Sequence, residues 1–347
     1  MDQQRYSKSI VQRYLPNADV TPSEKDLWRY RSPLPHGFKW TKEDNSKSMA
    51  EVKALEDEYS FRVIEVVGSL NYLANTAVEE LFAIRKACKH MNLPGRPHFK
   101  AILHLLHHLR CYPAQGLIFY RDWKQSPVYK MLTEELGIPI SDGTLIWMSD
   151  SSHADCDEGR STGGYFGIFQ GGVVTMNSFV PQPIPHSTAE SETMGIGMGA
   201  LSCSYTRKAI ADLLFDDPDR PWTIPFLSDS QAAIAMNKSE RPTKRNKHID
   251  RQYFYGRNEK LAGNLEFLYI DTDHCLPDVV TKALVYEQAS SKLKYLQYPV
   301  SDHAIGPKAI EGSPRQALDR LCQSKKGDVD DDSSVTETGN TGPNGRD

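Results

Sequence analysis

A chain of 347 residues has room for about two domains. With 39% hydrophobic and 25% charged residues it has the composition of a polar globular protein. A formal charge of −4 excludes any bulk attraction to nucleic acid, so such binding must come from local patches.

Six cysteines (Cys88, Cys111, Cys156, Cys203, Cys275 and Cys322) are scattered, and none forms a C-x-x-C pair. That pattern argues against a zinc site or a disulfide framework and for free thiols in a reducing compartment. No apolar run approaches the roughly 20 residues that a membrane-spanning helix needs, and residues 1–5 open no apolar signal segment. The expectation is an intracellular protein, cytoplasmic or nuclear, with no membrane partner.

Residues 1–60 are polar and patternless, punctuated by Pro16, Pro22, Pro33 and Pro35, with Trp28, Tyr30, Phe38 and Trp40 scattered among them. They read as a linker, or an arm that docks on something larger. From Phe61 the pattern becomes helical, with Val63, Ile64, Val67, Leu70 and Leu73 on one face. Thr76 followed by Glu79 has the form of a capping box opening a second helix over Val78, Leu81, Ile84 and Cys88. Asn92-Leu93-Pro94-Gly95 is a turn. Pro97 suits the first turn of a third helix, whose apolar face is Ile102, Leu103, Leu106 and Leu109. Residues 61–125 are thus expected to form a small helical segment. His104, His107 and His108 share one side of its third helix, as a metal pair would. With no acidic or cysteine residue at a matching spacing, the expectation is an exposed, weakly basic face. Residues 116–120 fit a short strand, and 121–143 a connector.

From Thr144 the signal is mixed α/β. Residues 145–151 are a strand, 164–169 a second and 173–179 a third, with Gly171-Gly172 as the hairpin turn. Pro181, Pro183 and Pro185 end the meander. Ser187 and Thr188 are N-cap candidates for a long helix over 189–214. A strand over 223–229 follows, then a short helix at 232–236, a basic connector at 244–248, a helix over 249–261, a strand over 265–270 and a last helix over 276–284. This order predicts an α/β domain with a five-stranded mixed sheet and flanking helices over 144–285. The extension 286–347 carries almost no apolar side chains from about Lys325 on and is expected to be disordered there.

Four acids stand at element boundaries. Asp150 ends the first strand, Glu192 lies in the first turn of the long helix, Asp229 ends the fourth strand and Asp278 opens the last helix. Strand ends and helix starts on one edge of an α/β sheet converge, and ligand sites form there. Each acid alone is commonly a turn residue, a cap or an answer to a helix dipole; four in this order point to a metal centre. Phosphodiester hydrolysis needs an activated water and a stabilised leaving oxygen, which two magnesium ions about 4 Å apart supply. Such ions take oxygen ligands and need several carboxylates to balance them.

The blocks Ser149-Asp150, Arg160-Ser161-Thr162-Gly163-Gly164-Tyr165, Ser187-Thr188-Ala189-Glu190-Ser191-Glu192, Ser228-Asp229-Ser230-Gln231-Ala232-Ala233-Ile234-Ala235, Lys247-His248-Ile249-Asp250 and Asp278-Val279-Val280-Thr281-Lys282 stand in one order. Residues 144–285 resemble, on these blocks, the ribonuclease H domain of copia-type retrotransposon Pol polyproteins. Upstream, Val67-Gly68-Ser69-Leu70-Asn71-Tyr72-Leu73-Ala74 resembles the segment after the reverse transcriptase palm in the same polyproteins.

The resemblance implies a ribonuclease H-like fold and magnesium-dependent (or manganese-dependent) endonucleolytic cleavage of the RNA strand of RNA–DNA hybrids. In it Asp150 would bridge two ions, Asp278 would help hold the ion that activates water, and Glu192 and Asp229 the ion on the leaving-group side. Glu192 rather than Glu190 occupies the family's catalytic position. A reverse transcriptase polymerase domain is the implied protein partner, and with no Tyr-x-Asp-Asp signature this chain is not expected to polymerise DNA. The sequence departs from the family's pattern at Ser152 and His153, where a second Asp and an aromatic are usual, and at Asn75-Thr76-Ala77-Val78, which lacks an Arg-Pro-Asp turn. His274, one helical turn before Asp278, reads as a solvated loop histidine.

Lys244, Arg245, Lys247, His248 and Arg251, with Arg257 and the interleaved Tyr253, Phe254 and Tyr255, form the densest basic patch and a candidate hybrid-binding surface. Two alternatives stand beside the nuclease reading. One is a silent or host-adopted copy acting as a nucleic-acid-binding or scaffolding module; the other is a different nuclease or integrase of the same fold, which the order of the acids disfavours.

Overall fold

The computed structural model describes residues 3–18, 21–35, 37–113, 116–141, 143–156, 159–239 and 254–296. In chain order the elements are α1 (Gln4–Tyr14), α2 (Glu24–Arg29), α3 (Met49–Tyr59), α4 (Val63–Leu73), α5 (Leu81–His90), α6 (Arg96–Cys111) and α7 (Pro127–Lys130). Then come β1 (Leu145–Ser152), β2 (Thr162–Phe169), β3 (Gly172–Phe179), α8 (Thr188–Phe215), β4 (Ile224–Ser228), α9 (Gln231–Lys238), α10 (Tyr255–Leu261), β5 (Leu265–Tyr269), α11 (Asp278–Thr281) and α12 (Tyr286–Leu293). The described residues fall into two units. The end of α8 with the turn after it, Lys208–Arg220, belongs to one, and the other contains the whole sheet. Among the described residues no helix is long and apolar enough to cross a membrane.

The expected five-stranded mixed sheet is present, in the order β3-β2-β1-β4-β5. β1, β2 and β3 form an antiparallel meander, while β1, β4 and β5 run parallel. All eight residues of β1 are buried, because both faces of this central strand are covered. On one face Gly199 of α8 lies against Trp147 and Ser149. On the other, Ile146, Met148, Phe166, Ile168 and Leu227 join a core that runs into the N-terminal helices through Leu70, Leu81, Ile84, Phe99, Leu105 and Leu106. The hairpin between β2 and β3 turns on Gln170 and Gly171, at φ +52° and +73°. This is one residue earlier than the Gly171-Gly172 turn expected from sequence. Two consecutive positive φ angles fit the right-handed twist of a hairpin, and Gly171 supplies one of them without a Cβ.

Several elements differ from the sequence reading. Residues 4–59 carry α1, α2 and α3, and Ile10, Tyr14, Leu34, Trp40, Val52 and Leu55 are buried. This arm packs on the helices after it: Tyr112 Oη donates to the Leu27 carbonyl (2.7 Å), and Arg110 pairs with Asp26 (2.9 Å). On α1 Tyr6, Ile10 and Tyr14 recur every four residues, a helical period within the stretch read as patternless. α5 begins at Leu81, so Thr76 and Glu79 sit in the preceding turn and form no capping box. At 116–120 only Leu117 makes a bridge. The last expected helix stops after four residues, where Lys282 takes an extended backbone (φ −133°, ψ 149°).

Candidate active site

β1 and β4 are parallel neighbours with Trp147 beside Phe226 and Met148 beside Leu227. Two residues further along, this register brings Asp150 and Asp229 side by side at the carboxyl ends of the strands. α8 enters from one face. Its N-terminus is capped by Ser187, whose Oγ accepts from Glu190 N (3.2 Å), and Glu190 turns back to accept from His186 N (2.9 Å). Glu190 is thereby consumed in the cap. Ser191 fastens the first turn to the end of β1, meeting Ser151 Oγ at 2.6 Å and donating to the Ser152 carbonyl at 3.2 Å. Glu192 is then left facing Asp150.

α11 enters from the other face, over β2. A Cβ at Gly164, the cross-strand partner of Asp150, would lie 2.7 Å from both Thr281 and Val280. Only glycine lets α11 sit this low on the sheet.

Ligand oxygens of Asp150, Glu192 and Asp229 lie within 4.8 Å of one another, and those of Asp150 and Asp278 lie within the same distance, together with the Cys275 thiol. All four expected acids are therefore brought together, with Asp150 at the centre. Asp150, Glu192 and Asp278 are buried. Thr281 donates to Asp150, and Thr272 donates to Asp229 (2.9 Å). Burial pushes the Asp150 carboxyl up to about 6, with Lys282 opposing and Asp278 and Asp229 adding to the rise. Burial also pushes Glu192 well above the usual carboxylate range, and the charges of Asp150 and Asp229 push the same way. Cys275 is driven far up by burial and the surrounding acids, so without a metal it stands as a neutral thiol.

Two cations reach this centre. Lys282 Nζ lies 2.5 Å from Asp278 and 3.3 Å from Asp150, and Lys292 Nζ lies 3.1 Å from Asp278. Sequence reasoning passed over both as functional groups. The spacing of Asp278 and Lys282 by four was the available signal for the first; Lys292 had none. The acids still outnumber these partners, and the buried Glu192 Oε2 has no hydrogen-bond partner among the described residues. An all-carboxylate donor set with an orphaned oxygen fits hard divalent ions such as magnesium or manganese.

The loop that departs from the expected pattern is tied down. Ser152 closes the β1–β2 ladder opposite Thr162. Asp155 accepts from Thr162 N (2.8 Å) and pairs with Lys86 of α5 (2.6 Å). His274 is held by Asp271 (2.7 Å) and faces Glu135 (3.4 Å), so it is not a freely solvated residue. Lys244, Arg245, Lys247, His248, Arg251 and Tyr253 lie outside the described residues. Arg257 does not belong to an exposed basic patch; it is buried, donates to the Met236 carbonyl (2.8 Å) and stacks on Phe254.

Strand order, register and acid placement together define an α/β domain with a five-stranded mixed sheet and an acidic centre at the carboxyl ends of its parallel strands. No family model matches the chain. It is similar to curated retrovirus-related Pol polyproteins of plant transposons. Identity is 25% over 219 residues to transposon TNT 1-94 of Nicotiana tabacum, 63% of this chain, and 23% over 240 residues to transposon RE2 of Arabidopsis thaliana, 68% of this chain. The chain matches 15% of the length of each of these relatives.

Among solved structures it is similar to an N-terminal RNase H domain from Mycobacterium tuberculosis, with a TM-score of 0.30 and 10% identity, covering 47% of this chain and 100% of that one. RNase H1 of Halobacterium salinarum gives a TM-score of 0.29 and 16% identity, covering 43% of this chain and 98% of that one.

Proposed function

We propose that the chain is a ribonuclease H-type endonuclease that cleaves the RNA strand of RNA–DNA hybrids as part of a copia-type Pol polyprotein. The observation that supports this reading is the convergence of Asp150, Glu192, Asp229 and Asp278 at the carboxyl ends of parallel strands. Asp150, Glu192, Asp229 and Asp278 would hold two magnesium ions, with manganese as a substitute; when bound these supply an activated water and a stabilised leaving oxygen. Thr281 and Thr272 orient the carboxylates of Asp150 and Asp229 by hydrogen bonds. Ser191 holds the first turn of α8 in register with β1. Recognition of the hybrid would run through its backbone and shape rather than its bases. Lys244, Arg245, Lys247, His248 and Arg251 are the proposed phosphate contacts, and a reverse transcriptase polymerase domain is the proposed protein partner.

The test is cleavage of a labelled RNA–DNA hybrid with Mg²⁺ beside an Asp150→Asn control. The wild type is expected to cut the RNA strand. The variant should lose more than about 100-fold, since even outer-shell partners of a metal are worth 10–100-fold. No cleavage by the wild type would sink the enzyme reading.

One observation favours a second reading, a silent binding or scaffolding module: Lys282 already occupies the space between Asp150 and Asp278 as an internal counter-ion. Hybrid binding without cleavage in the same assay would support it.

A further inference from the structure

A second cluster of ligand-type side chains lies in the helical half of the molecule. His108, on α6, is fully buried, and Glu80, at the start of α5, is 2% exposed. Glu79 precedes it in the turn, and one ligand atom from each of Glu79, Glu80 and His108 lies within 4.8 Å of the others. The histidines of α6 are thus not an exposed basic face. The acidic neighbours of His108 come from the turn before α5, which sequence spacing did not reveal.

The protonation of His108 is set by its surroundings. Nδ1 lies 2.7 Å from the Tyr30 carbonyl, which can only accept, so Nδ1 carries a proton. In the neutral ring Nε2 is then a bare lone pair. It points at two carboxylates, 3.6 Å from Glu80 and 3.9 Å from Glu79, and has no hydrogen-bond partner among the described residues. The His108 Nε2 lone pair and the buried Glu80 carboxylate facing it repel unless something positive lies between them. Desolvation pulls the His108 imidazole down, but the Glu80 and Glu79 carboxylates more than offset it, so a positive charge is favoured at this place. A proton on Nε2 would draw a carboxylate to the 2.7–2.9 Å typical of a charge-assisted N–H···O bond, and neither distance is that short. A tetrahedral cation with bonds of about 2.0–2.1 Å instead sets its ligands about 3.4 Å apart, close to the spacing seen. A histidine that donates its other ring N–H to a backbone carbonyl is also the usual posture of a metal ligand. Glu79 lines a cavity of about 430 Å³ shared with Ser32 and His104, which gives a cation and a completing water a way in.

We propose that Glu79, Glu80 and His108 form a structural site for a divalent transition cation of the zinc type, separate from the carboxylate centre. Imidazole nitrogen with carboxylate oxygen suits zinc and disfavours magnesium. The ion joins the turn before α5 to α6, and through the Tyr30 carbonyl it fixes the arm.

The test uses the full chain carrying Asp150→Asn and Asp278→Asn, which weakens the carboxylate centre as a competing site. Equilibrium dialysis against Zn²⁺ with elemental analysis is expected to leave one Zn²⁺ per chain. Adding Glu80→Gln, near-isosteric but uncharged, should lower the affinity at least tenfold with an unchanged circular dichroism spectrum. Equal Zn²⁺ binding with and without Glu80→Gln would overturn the site, and so would absence of bound Zn²⁺ in the folded parent. If Glu80→Gln does not fold, zinc-edge X-ray absorption on the parent decides. One imidazole with oxygen ligands is expected; sulfur ligands, or no imidazole, overturn the proposal. None of these readouts depends on nuclease activity.

Discussion

Burial holds the Asp150 carboxyl at about 6, against the opposing charge of Lys282. Its ordinary value is about 4, so the native state binds this proton more tightly than the unfolded chain. In the metal-free protein this group's contribution therefore grows as pH falls from about 6 toward 4 and is lost as pH rises through that window. The raised Glu192 acts in the same sense. A bound divalent ion reverses the balance, because it competes with the proton for the same oxygens. Mg²⁺ is expected to raise Tm clearly at pH 7.5 and hardly at pH 5; equal shifts at both would contradict a site built on Asp150.

Lys282 is the second residue-scale lever. As an internal counter-ion it competes with metal. Lys282→Met should lower the Tm of the metal-free protein yet enlarge the Mg²⁺-induced shift, as differential scanning calorimetry with and without Mg²⁺ would record. A smaller shift would mean that Lys282 assists metal binding instead.

At the scale of elements, the seating of α11 on β2 fixes Asp278. Gly164→Ala puts a Cβ into Thr281 and Val280, so α11 must rise. The expected cost is about 1–3 kcal/mol by urea unfolding, with weaker Mg²⁺ binding as Asp278 moves.

The elements most legible in the sequence were those whose pattern is local. β1 reads as an apolar run because both of its faces are covered, and α8 announces itself through Ser187 and the proline-rich stretch before it. What escaped was long-range. The buried Lys86 reaches Asp155, 69 residues away, and holds α5 to the β1–β2 loop. No periodicity signals a lysine whose burial is licensed by a distant carboxylate. α11 was overread for a related reason: Lys282 leaves the helix and reaches Asp150 and Asp278. The four acids were legible as strand ends and helix starts. Their cation partners and the Glu79–Glu80–His108 cluster were not, because those depend on how helices pack.

At the scale of the molecule, the helical half and one face of the sheet share an apolar core among the described residues. The arm adds Ile10, Tyr14, Leu34, Trp40 and Leu55 to it. Burying a large apolar side chain is worth about 1.5–3 kcal/mol, comparable in sum to the 5–15 kcal/mol net stability of a whole domain. Deleting residues 1–60 is therefore expected to abolish cooperative thermal unfolding and to expose hydrophobic surface, measured by dye binding. A truncation that melts sharply near the Tm of the full chain would show that the arm is dispensable.

The same shared core bears on the stretch 112–144, which leads from α6 to β1. A protease cutting there would sever the peptide bond without separating the halves, because the face of the sheet carrying Ile146, Met148 and Phe166 remains covered by α5 and its neighbours. Processing of a longer precursor at this point would yield a nicked heterodimer that co-migrates as one particle in gel filtration and comes apart only in denaturant. Two polypeptides recovered together would then be one fold in two pieces rather than an enzyme and its partner.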